Sequence, residues 1–493
     1  MQLGGYDMVE NKILERLKVL KPEKMEKSDK GNALIFSQIF GEELKYHAQY
    51  KKWMYFDGKR WCVDSGNFKV EHYAKVLTDC LLKYVLTIKD TDVQSSLLKH
   101  VAKLGDFHKR NIMIRDAQES LGVTGDQFDL YPTLLNLQNG VLDLETFELT
   151  KNEPSLLLSK ICNVTYDETA DCPKWKEFIR EVMQDDQDKI EYLQMILGYT
   201  LTGLTEQEAF WILYGATTRN GKSTLIETIS YLLGEDQGYS VNMNPETLAQ
   251  KKKDSSRTSG DIARLKGARL VICSEPPKRM LFDIGLVKTL TGRDTITARQ
   301  IYQEEIQFKP EFKLVMNTNY LPVVQDNSLF TSGRVNVITF DRHFESHEQD
   351  KQLKGKLREK KELSGILNWL LEGLKKYNEL KGNIEPPQAV KEATKAYEQD
   401  SDKIGQFIND CLKPIKGINS SLKEVYEVYE EWCNDNGYGV ENKGNFTAEM
   451  RTRNLFKASG TVKGKTCRNV IVGYAVLNFQ ESEEGEKVFR KTS

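Results

Sequence analysis

Gly215-Ala-Thr-Thr-Arg-Asn-Gly221-Lys222-Ser223-Thr224 is the stretch that decides the fold of this chain of 493 residues. The apolar run Phe210-Trp-Ile-Leu-Tyr214 leads into it, and residues 222–233 continue with the apolar spacing of a helix. A strand, a glycine-containing loop and a helix in this order form the setting of a nucleotide-phosphate loop. The glycines let backbone amides face phosphate oxygens, and the helix start favours anions. The sequence therefore predicts an α/β fold with a site for ATP.

Different side chains of this loop are suited to bind the phosphates of ATP and Mg²⁺. Lys222 is placed to hold the β and γ phosphates, and the hydroxyl of Ser223 suits a magnesium ligand. The predicted nucleotide contacts are Gly215, Asn220, Gly221, Lys222, Ser223 and Thr224.

The loop departs from the usual spacing of such motifs. Five residues separate Gly215 from Gly221, whereas four are usual. Arg219 and Asn220 can absorb the extra residue as a bulge without moving the Gly221-Lys222-Ser223 segment. The role of Gly215 depends on how the loop does so.

Two further apolar runs end in polar residues. Arg269-Leu-Val-Ile-Cys-Ser-Glu275 reads as a buried strand that closes on a carboxylate. Glu275 could hold magnesium through water or polarise the attacking water, and the alternative is an exposed carboxylate without a role. The run from Phe312 to Asn319 ends in amides, at Asn317 and Asn319.

The order of these motifs resembles superfamily 3 helicases, in particular the poxvirus-type, phage and plasmid primase-helicase family. The strings that carry the resemblance to the helicase core are LYGATTRNGKST, LKGARLVICSE, VKTLTGRDTITARQIYQEEIQFKPEFKLVMNTNYLP and SGRVNVITFDRHF. Upstream, WMYFDGKRW, LNLQNGVLDLETFEL and CPKWKEFIREVM resemble the accessory region that precedes this core. The resemblance covers nearly the whole chain.

The resemblance implies an AAA+-like P-loop core that works as a homo-hexameric ring. It implies that Asn319 senses the γ phosphate, with Asn317 as the alternative residue for this role. It also implies that Arg334 reaches into the neighbouring subunit's site as an arginine finger, where a guanidinium offsets charge that develops in phosphoryl transfer. The alternative for Arg334 is a surface ion pair.

The length of the chain predicts several domains. The fold expected is a P-loop α/β core with a mixed α+β N-terminal region and a C-terminal winged helix. The expected parts are an N-terminal α+β accessory domain over 1–130, a helical collar-like region over 131–205, the ATPase core over 206–345, a helical segment over 346–400, a winged-helix DNA-binding domain over 401–480 and a tail over 481–493.

Candidate DNA contacts fall near a predicted hairpin over 295–308, which resembles the family's DNA-gripping loop. Its predicted tip, Tyr302-Gln-Glu-Glu305, is acidic and would repel phosphates. A second candidate is the basic run 251–253 with Arg257, for which a solvated loop is the alternative. The contacts expected around the hairpin are Lys288, Arg293, Arg299 or Lys309, unless a different loop provides them.

The clearest basic patch lies in the C-terminal region. Residues 441–470 contain seven basic residues against two acidic ones, and the pattern of helices followed by β-prone segments suggests a winged helix. Docking of another protein is the alternative. The predicted DNA contacts here are Arg451, Arg453, Lys457, Lys463 and Lys465.

Composition excludes several other classes of protein. The formal net charge is −2, so any DNA contact must be local. No apolar run approaches the roughly 20 residues that span a bilayer, and the start has no secretory pattern, so a cytoplasmic location without membrane contact is expected. The eight cysteines are scattered, and His343 and His347 lack a third ligand, so no metal site of this type is expected.

The residues and the resemblance together predict an ATP-dependent hexameric replicative helicase of a phage, plasmid or mobile element. The resemblance implies 3′ to 5′ movement on single-stranded DNA and action on forked DNA. The alternative is an ATP-controlled origin-binding initiator or loader without processive unwinding. Asp143-Leu-Glu145 alone is a weak candidate for the metal-binding carboxylates of a primase, so a separate primase or initiator is an expected partner.

Overall fold

The computed structural model describes residues 3–235, 237–250, 260–299, 305–324, 328–477, 479–481 and 487–489. Its N-terminal region mixes helices with a small sheet in the order β3-β2-β1-β4, and the Asp57-Gly58 turn joins β2 to β3. A short 3-10 helix at residues 102–105 separates α4 from α5. The elements are α1 (Leu3–Leu20), α2 (Asp29–Phe40), β1 (Leu44–His47), β2 (Lys52–Phe56), β3 (Trp61–Val63), α3 (Phe68–Val85), α4 (Thr91–Val101), α5 (Phe107–Ser120) and β4 (Gly122–Val123).

The region over 131–205 corrects the expectation of a helical collar. Its first part is a three-stranded antiparallel sheet, and helices begin only at Pro173. The physical reason is the Asn139-Gly140 turn, where Gly140 lies so close to the Thr150 carbonyl that a side chain would collide with it. The elements are β5 (Leu134–Leu137), β6 (Gly140–Asp143), β7 (Leu149–Thr150), α6 (Pro173–Val182) and α7 (Gln187–Tyr199).

A five-stranded parallel sheet forms the centre of the protein, in the order β14-β8-β13-β10-β9. A hairpin of β11 and β12 lies outside it, as the sequence predicts, and residues 300–304 at its tip lie outside the described residues. The elements are β8 (Phe210–Tyr214), α8 (Lys222–Leu233), β9 (Ser240–Met243), α9 (Gly260–Ala263), β10 (Leu270–Ser274), α10 (Ile284–Thr291), β11 (Ile296–Arg299), β12 (Glu305–Phe308), β13 (Lys313–Thr318), α11 (Ser328–Thr331) and β14 (Val335–Thr339).

Alternate residues of the central strands enter two separate cores. Trp211 and Leu213 pack into the cluster that contains α6, α7, α8 and α13 (Lys360–Glu379), whereas Phe210 and Ile212 pack into the cluster on the other face. Helices cover both faces of a parallel sheet in this way because its strands are apolar on both sides. The buried strands thereby fix the positions of the loops at their ends.

The last part of the chain begins with helices and continues with both helices and strands. A three-stranded antiparallel sheet, β15-β17-β16, packs against helices, as the pattern of helices followed by β-prone segments indicates. Two short paired strands follow, and the first of them ends where the expected tail begins. The elements are α12 (Leu353–Leu357), α13, α14 (Gln388–Ser401), α15 (Lys403–Cys411), β15 (Leu412–Ser421), α16 (Leu422–Asp435), α17 (Lys443–Thr452), β16 (Phe456–Val462), β17 (Lys465–Val476), β18 (Phe479–Glu481) and β19 (Lys487–Phe489).

Within these described residues, no helix is both long enough and apolar enough to cross a membrane.

Candidate functional site

The loop between β8 and α8 is shaped by its two glycines. Gly221 has φ 85°, and a Cβ there would lie 2.5 Å from Cγ2 of Val182, so α6 packs directly beneath the loop. A Cβ at Gly215 would lie 2.1 Å from Nδ2 of Asn220. Both positions therefore exclude larger side chains. The contribution of α6 has no signal in the local sequence, because the contact of Val182 and Phe178 with the loop is a tertiary one.

The extra residue of the loop is accommodated at Arg219, which has φ 58°. A left-handed conformation in a residue other than glycine costs about 1–2 kcal/mol, and neighbouring contacts must hold it. The amide of Phe344 donates to the Arg219 carbonyl at 2.9 Å, and Nη1 of Arg219 donates to Ser346 Oγ at 3.0 Å. Nδ1 of His343 lies 2.9 Å from the Thr218 carbonyl. The segment after β14 thus holds the bulge that the sequence predicts.

Lys222 is the first residue of α8 and is 3% exposed. Its Nζ donates to Oδ1 of Asn319 at 2.8 Å, to Oδ1 of Asn220 at 2.9 Å and to the Gly215 carbonyl at 3.4 Å. Burial lowers the pKa of Lys222 to about 8. The structure therefore joins the lysine of the loop to Asn319, the residue that closes β13.

A small cavity of about 130 Å³ lies at the carboxyl ends of the strands, against Ser223, the residue that follows this lysine. Ser223 and Glu275 line it, and the backbone amide of Glu275 donates to the Asn317 carbonyl at 2.9 Å. Nδ2 of Asn317 donates to Ser223 Oγ at 3.3 Å. The hydroxyl, carboxylate and amide oxygens here are the ligand types that Mg²⁺ prefers. The residues present therefore fit a magnesium ion.

Two carboxylates at this cavity were missed in the sequence. Glu227 and Glu235 line it together with Glu275. Glu227 follows Ser223 by four residues on α8, so the i, i+4 spacing could have placed it on the same face of the helix. It is paired with Lys354, with 2.6 Å between Nζ and Oε2.

The two asparagines that the sequence left as alternatives have different partners. Asn319 contacts Lys222, whereas Asn317 contacts Ser223. The former therefore lies beside the lysine of the loop and the latter beside its serine. Thr224 lies in the first turn of α8, as the motif predicts.

Arg334 lies at the amino ends of the strands, on the opposite side of the sheet from the loop. It immediately precedes β14, and its carbonyl accepts from the amide of Phe210 at the start of β8. Five residues of β8 separate that point from the loop, a distance of roughly 15 Å. Nη2 of Arg334 lies 2.6 Å from Oε2 of Glu208, and Nη1 donates to Oγ1 of Thr291 at 3.1 Å. Arg334 is thus in an ion pair within its own chain and far from its own loop.

The predicted DNA contacts of the core are partly engaged within the protein. Lys288 donates to Ser328 Oγ at 2.6 Å, and Arg293 donates to the Glu206 carbonyl at 3.1 Å. Arg299 is exposed and pairs in register with Glu305 across the hairpin. The basic run 251–253 with Arg257, and the tip residues Tyr302 to Glu304, lie outside the described residues.

The C-terminal candidates separate into two groups. Arg453 donates to both carboxylate oxygens of Asp402, at 3.1 and 2.7 Å, so its guanidinium is engaged within the protein, and its role as a DNA contact stays a prediction. Lys463 lies in the tight turn between β16 and β17 with 86% of its side chain exposed. The other exposed candidates are Arg451, Lys457 and Lys465.

Three family models match the chain. Residues 33–184 match "D5 N terminal like", residues 213–334 match a family of unknown function (DUF5906), and residues 399–475 match "Poxvirus D5 protein-like". The second of these covers the loop, Glu275 and both asparagines.

Viral proteins are similar to this chain over more than half of its length. A protein of Acanthamoeba polyphaga mimivirus that carries the name of a helicase is 31% identical over 62% of the chain and 33% of its own length. One of Frog virus 3, also named as a helicase, is 26% identical over 54% of the chain and 28% of its own length. One of African swine fever virus, named as a primase, is 24% identical over 62% and 34% respectively. The chain thus spans about a third of the length of these relatives.

Among solved structures, the C-terminal region of NrS-1 in its apo form is similar to this chain. It matches with a TM-score of 0.47 and 12% identity over 87% of this chain and 96% of that one.

The parallel sheet with helices on both faces defines a mixed α/β protein. D5-type regions lie on either side of the site, and viral proteins named as helicases and primases are similar to the chain. These matches confirm the resemblance to the D5-type, poxvirus-like primase-helicase family that the motifs indicate.

Proposed function

We propose that this chain is the motor of an ATP-dependent replicative DNA helicase, and that it works as a hexamer moving 3′ to 5′ on single-stranded DNA. The observation that carries the proposal is the meeting of Lys222 with Asn319 beside the cavity of Ser223, Asn317 and Glu275. These residues come from three segments that meet at the carboxyl ends of the strands, namely the start of α8 and the ends of β13 and β10, and phosphoryl transfer needs groups that surround one phosphate in this way. The names and organisms of the viral relatives support a role in DNA replication.

In this proposal Lys222 exchanges its contacts with Asn319 and Asn220 for phosphate oxygens when ATP binds. Asn319 is then free to orient water or a γ-phosphate oxygen, and Glu275 polarises the attacking water. Ser223 and Glu275 would hold Mg²⁺, which supplies charge neutralisation between the β and γ phosphates. A loop buried on α6 loses little conformational freedom when ATP binds, because the scaffold already fixes it.

Arg334 is proposed to act in the neighbouring subunit. We expect Arg334→Ala to lower the turnover of ATP by about 10³-fold, since the guanidinium stabilises charge only in the transition state. ATP binding, measured by equilibrium titration with a fluorescent analogue, should change by less than about threefold. A mixture of Arg334→Ala and Lys222→Ala subunits should regain part of the activity, because some interfaces then join an intact loop to an intact arginine.

Glu208→Gln is the matched control for this prediction. It removes the carboxylate of the ion pair and keeps the arginine. Turnover close to that of the wild type is expected. If Glu208→Gln loses as much activity as Arg334→Ala, and the mixture stays inactive, Arg334 has only the structural role of an ion pair.

The C-terminal module, with helices α16 and α17 and the β16–β17 hairpin, is proposed to be a winged helix that binds duplex DNA. We expect Lys463→Ala/Lys465→Ala to weaken duplex binding about tenfold and to flatten the dependence of log K on log salt by roughly 1–2 units, because each phosphate contact contributes about 0.9. Anisotropy titrations of labelled duplex at several salt concentrations measure both quantities. Lys391→Ala/Lys395→Ala on α14 removes the same charge from exposed positions elsewhere, and an equal loss there would contradict a local contact.

DNA dependence of ATP hydrolysis separates a helicase from an origin-binding initiator. We expect single-stranded DNA to stimulate hydrolysis, and electron microscopy with an ATP analogue and forked DNA to show rings. Hydrolysis that DNA leaves unchanged, together with monomers on the fork, would contradict the proposal.

A further inference from the structure

A second and larger cavity lies between the carboxyl-end edge of the sheet and the C-terminal module. Its volume is about 1220 Å³, above the roughly 300–1,000 Å³ of small-molecule sites. Tyr214 and Asn319 line it on the side of the sheet, and residues 436–439 line it on the side of the C-terminal module. We call this cavity the interdomain cleft. It has room for an extended ligand, and it reaches the residue that contacts Lys222.

Aromatic rings stand on both walls of the interdomain cleft. Tyr320, on the wall of the core, is 49% exposed, and Nζ of Lys278 lies 4.4 Å from the centre of its ring. Tyr438, on the opposite wall, is 41% exposed and stacks on Trp432 with 5.2 Å between ring centres. Each ring is held by one neighbour, Lys278 or Trp432, and its exposed part offers a surface on which a flat ligand can stack.

The charges on the wall of the core favour an anionic ligand. Lys278 and Arg279 are exposed on the wall of the core, and within the described parts of the chain neither has a carboxylate partner. On the other wall, Asp402 is paired with Arg453, and Glu441 is paired with Lys403. Glu449 is also paired with Arg453, so Asp400 is the remaining described carboxylate of the cleft.

We propose that the interdomain cleft binds a segment of single-stranded DNA, with bases stacked on Tyr320 and Tyr438 and phosphates held by Lys278 and Arg279. Aromatic platforms combined with cations are the features by which proteins hold single strands without reading their sequence. The inference rests on the proposed helicase function. Since Tyr320 directly follows Asn319, a base stacked on Tyr320 changes the environment of the amide that holds Lys222. The cleft thereby connects strand binding to ATP hydrolysis.

The test is fluorescence anisotropy of the full chain with a labelled oligothymidylate of about 16 nucleotides, at fixed ionic strength. We expect Lys278→Ala/Arg279→Ala to raise the Kd about tenfold, and Tyr320→Ser to raise it by a similar factor. Tyr320→Phe keeps the ring and should bind within about twofold of the wild type. Lys360→Ala/Lys361→Ala, at the exposed start of α13, removes the same two charges away from the cleft and should bind as the wild type does.

Two results would overturn the inference: cleft variants that bind the oligonucleotide as tightly as the wild type, or an equal loss in the Lys360→Ala/Lys361→Ala control. Failure of the proposed helicase function has a different signature. In that case the wild type binds the oligonucleotide through the cleft but neither hydrolyses ATP nor separates strands. If the wild type unwinds DNA but the cleft variants bind the oligonucleotide as tightly as the wild type does, only this inference fails.

Discussion

Lys222→Ala is expected to reduce kcat/KM for ATP hydrolysis by about 10³-fold or more, the largest effect of any single substitution that we predict. The substitution removes the ammonium that would hold the β and γ phosphates. It also leaves Asn319 and Asn220 without their shared donor at 2.8 and 2.9 Å. Both ATP binding and turnover should therefore fall, and a phosphate-release assay over a range of ATP concentrations measures the two losses.

Lys376→Ala is the control for the loss of a lysine. Lys376 is on α13, partly exposed and paired with Glu191 at 2.7 Å, and it is remote in sequence from the loop. Turnover equal to that of the wild type is expected for this variant. Thermal unfolding of both variants should give similar midpoints. Hydrolysis by Lys222→Ala within about threefold of the wild type would refute the assignment of the loop.

Glu275→Gln should lower turnover by about 10²–10³-fold and leave ATP binding within a few-fold of the wild type. Glutamine has nearly the same shape, so the backbone bond from residue 275 to Asn317 and the left-handed conformation at φ 54° are retained. What is lost is the negative charge that polarises water or holds Mg²⁺. Single-turnover experiments measure ATP binding and the rate of hydrolysis separately. A variant that binds ATP but hydrolyses it slowly is thereby distinguished from a misfolded one.

Glu177→Gln on α6 removes one exposed carboxylate elsewhere and should have no effect on turnover. Wild-type hydrolysis by Glu275→Gln would mean that Glu275 is only an exposed carboxylate. The catalytic carboxylate would then have to be one of the other two at the cavity, Glu227 or Glu235.

Local sequence patterns predict the elements on which the site is built. The apolar run at 210–214 and the helix at 222–233 are present with nearly the expected bounds, because adjacent residues alone determine a buried strand and an amphipathic helix. The Asp57-Gly58 hairpin is present for the same reason. Lys222, Ser223, Glu275 and Asn319 come together because parallel strands place their carboxyl ends at one edge of the sheet.

Contacts between distant parts of the chain could not be predicted in this way. The support of Gly221 by Val182 and of Arg219 by Phe344 depends on packing between segments that are far apart in sequence. The pairing of Arg453 with Asp402 is of the same kind, since 51 residues separate the two partners. β15 was missed because its mostly exposed, polar residues give no apolar alternation.

Strand displacement on a forked duplex tests the central claim most directly. One strand carries a fluorophore and the other a quencher, and forks with only a 3′ or only a 5′ single-stranded tail are compared. We predict that the wild type separates the strands only with ATP and Mg²⁺ and only on the fork with the 3′ tail, and that Lys222→Ala separates neither. ATP hydrolysis without separation of either fork would contradict a helicase and favour a nucleotide-controlled initiator.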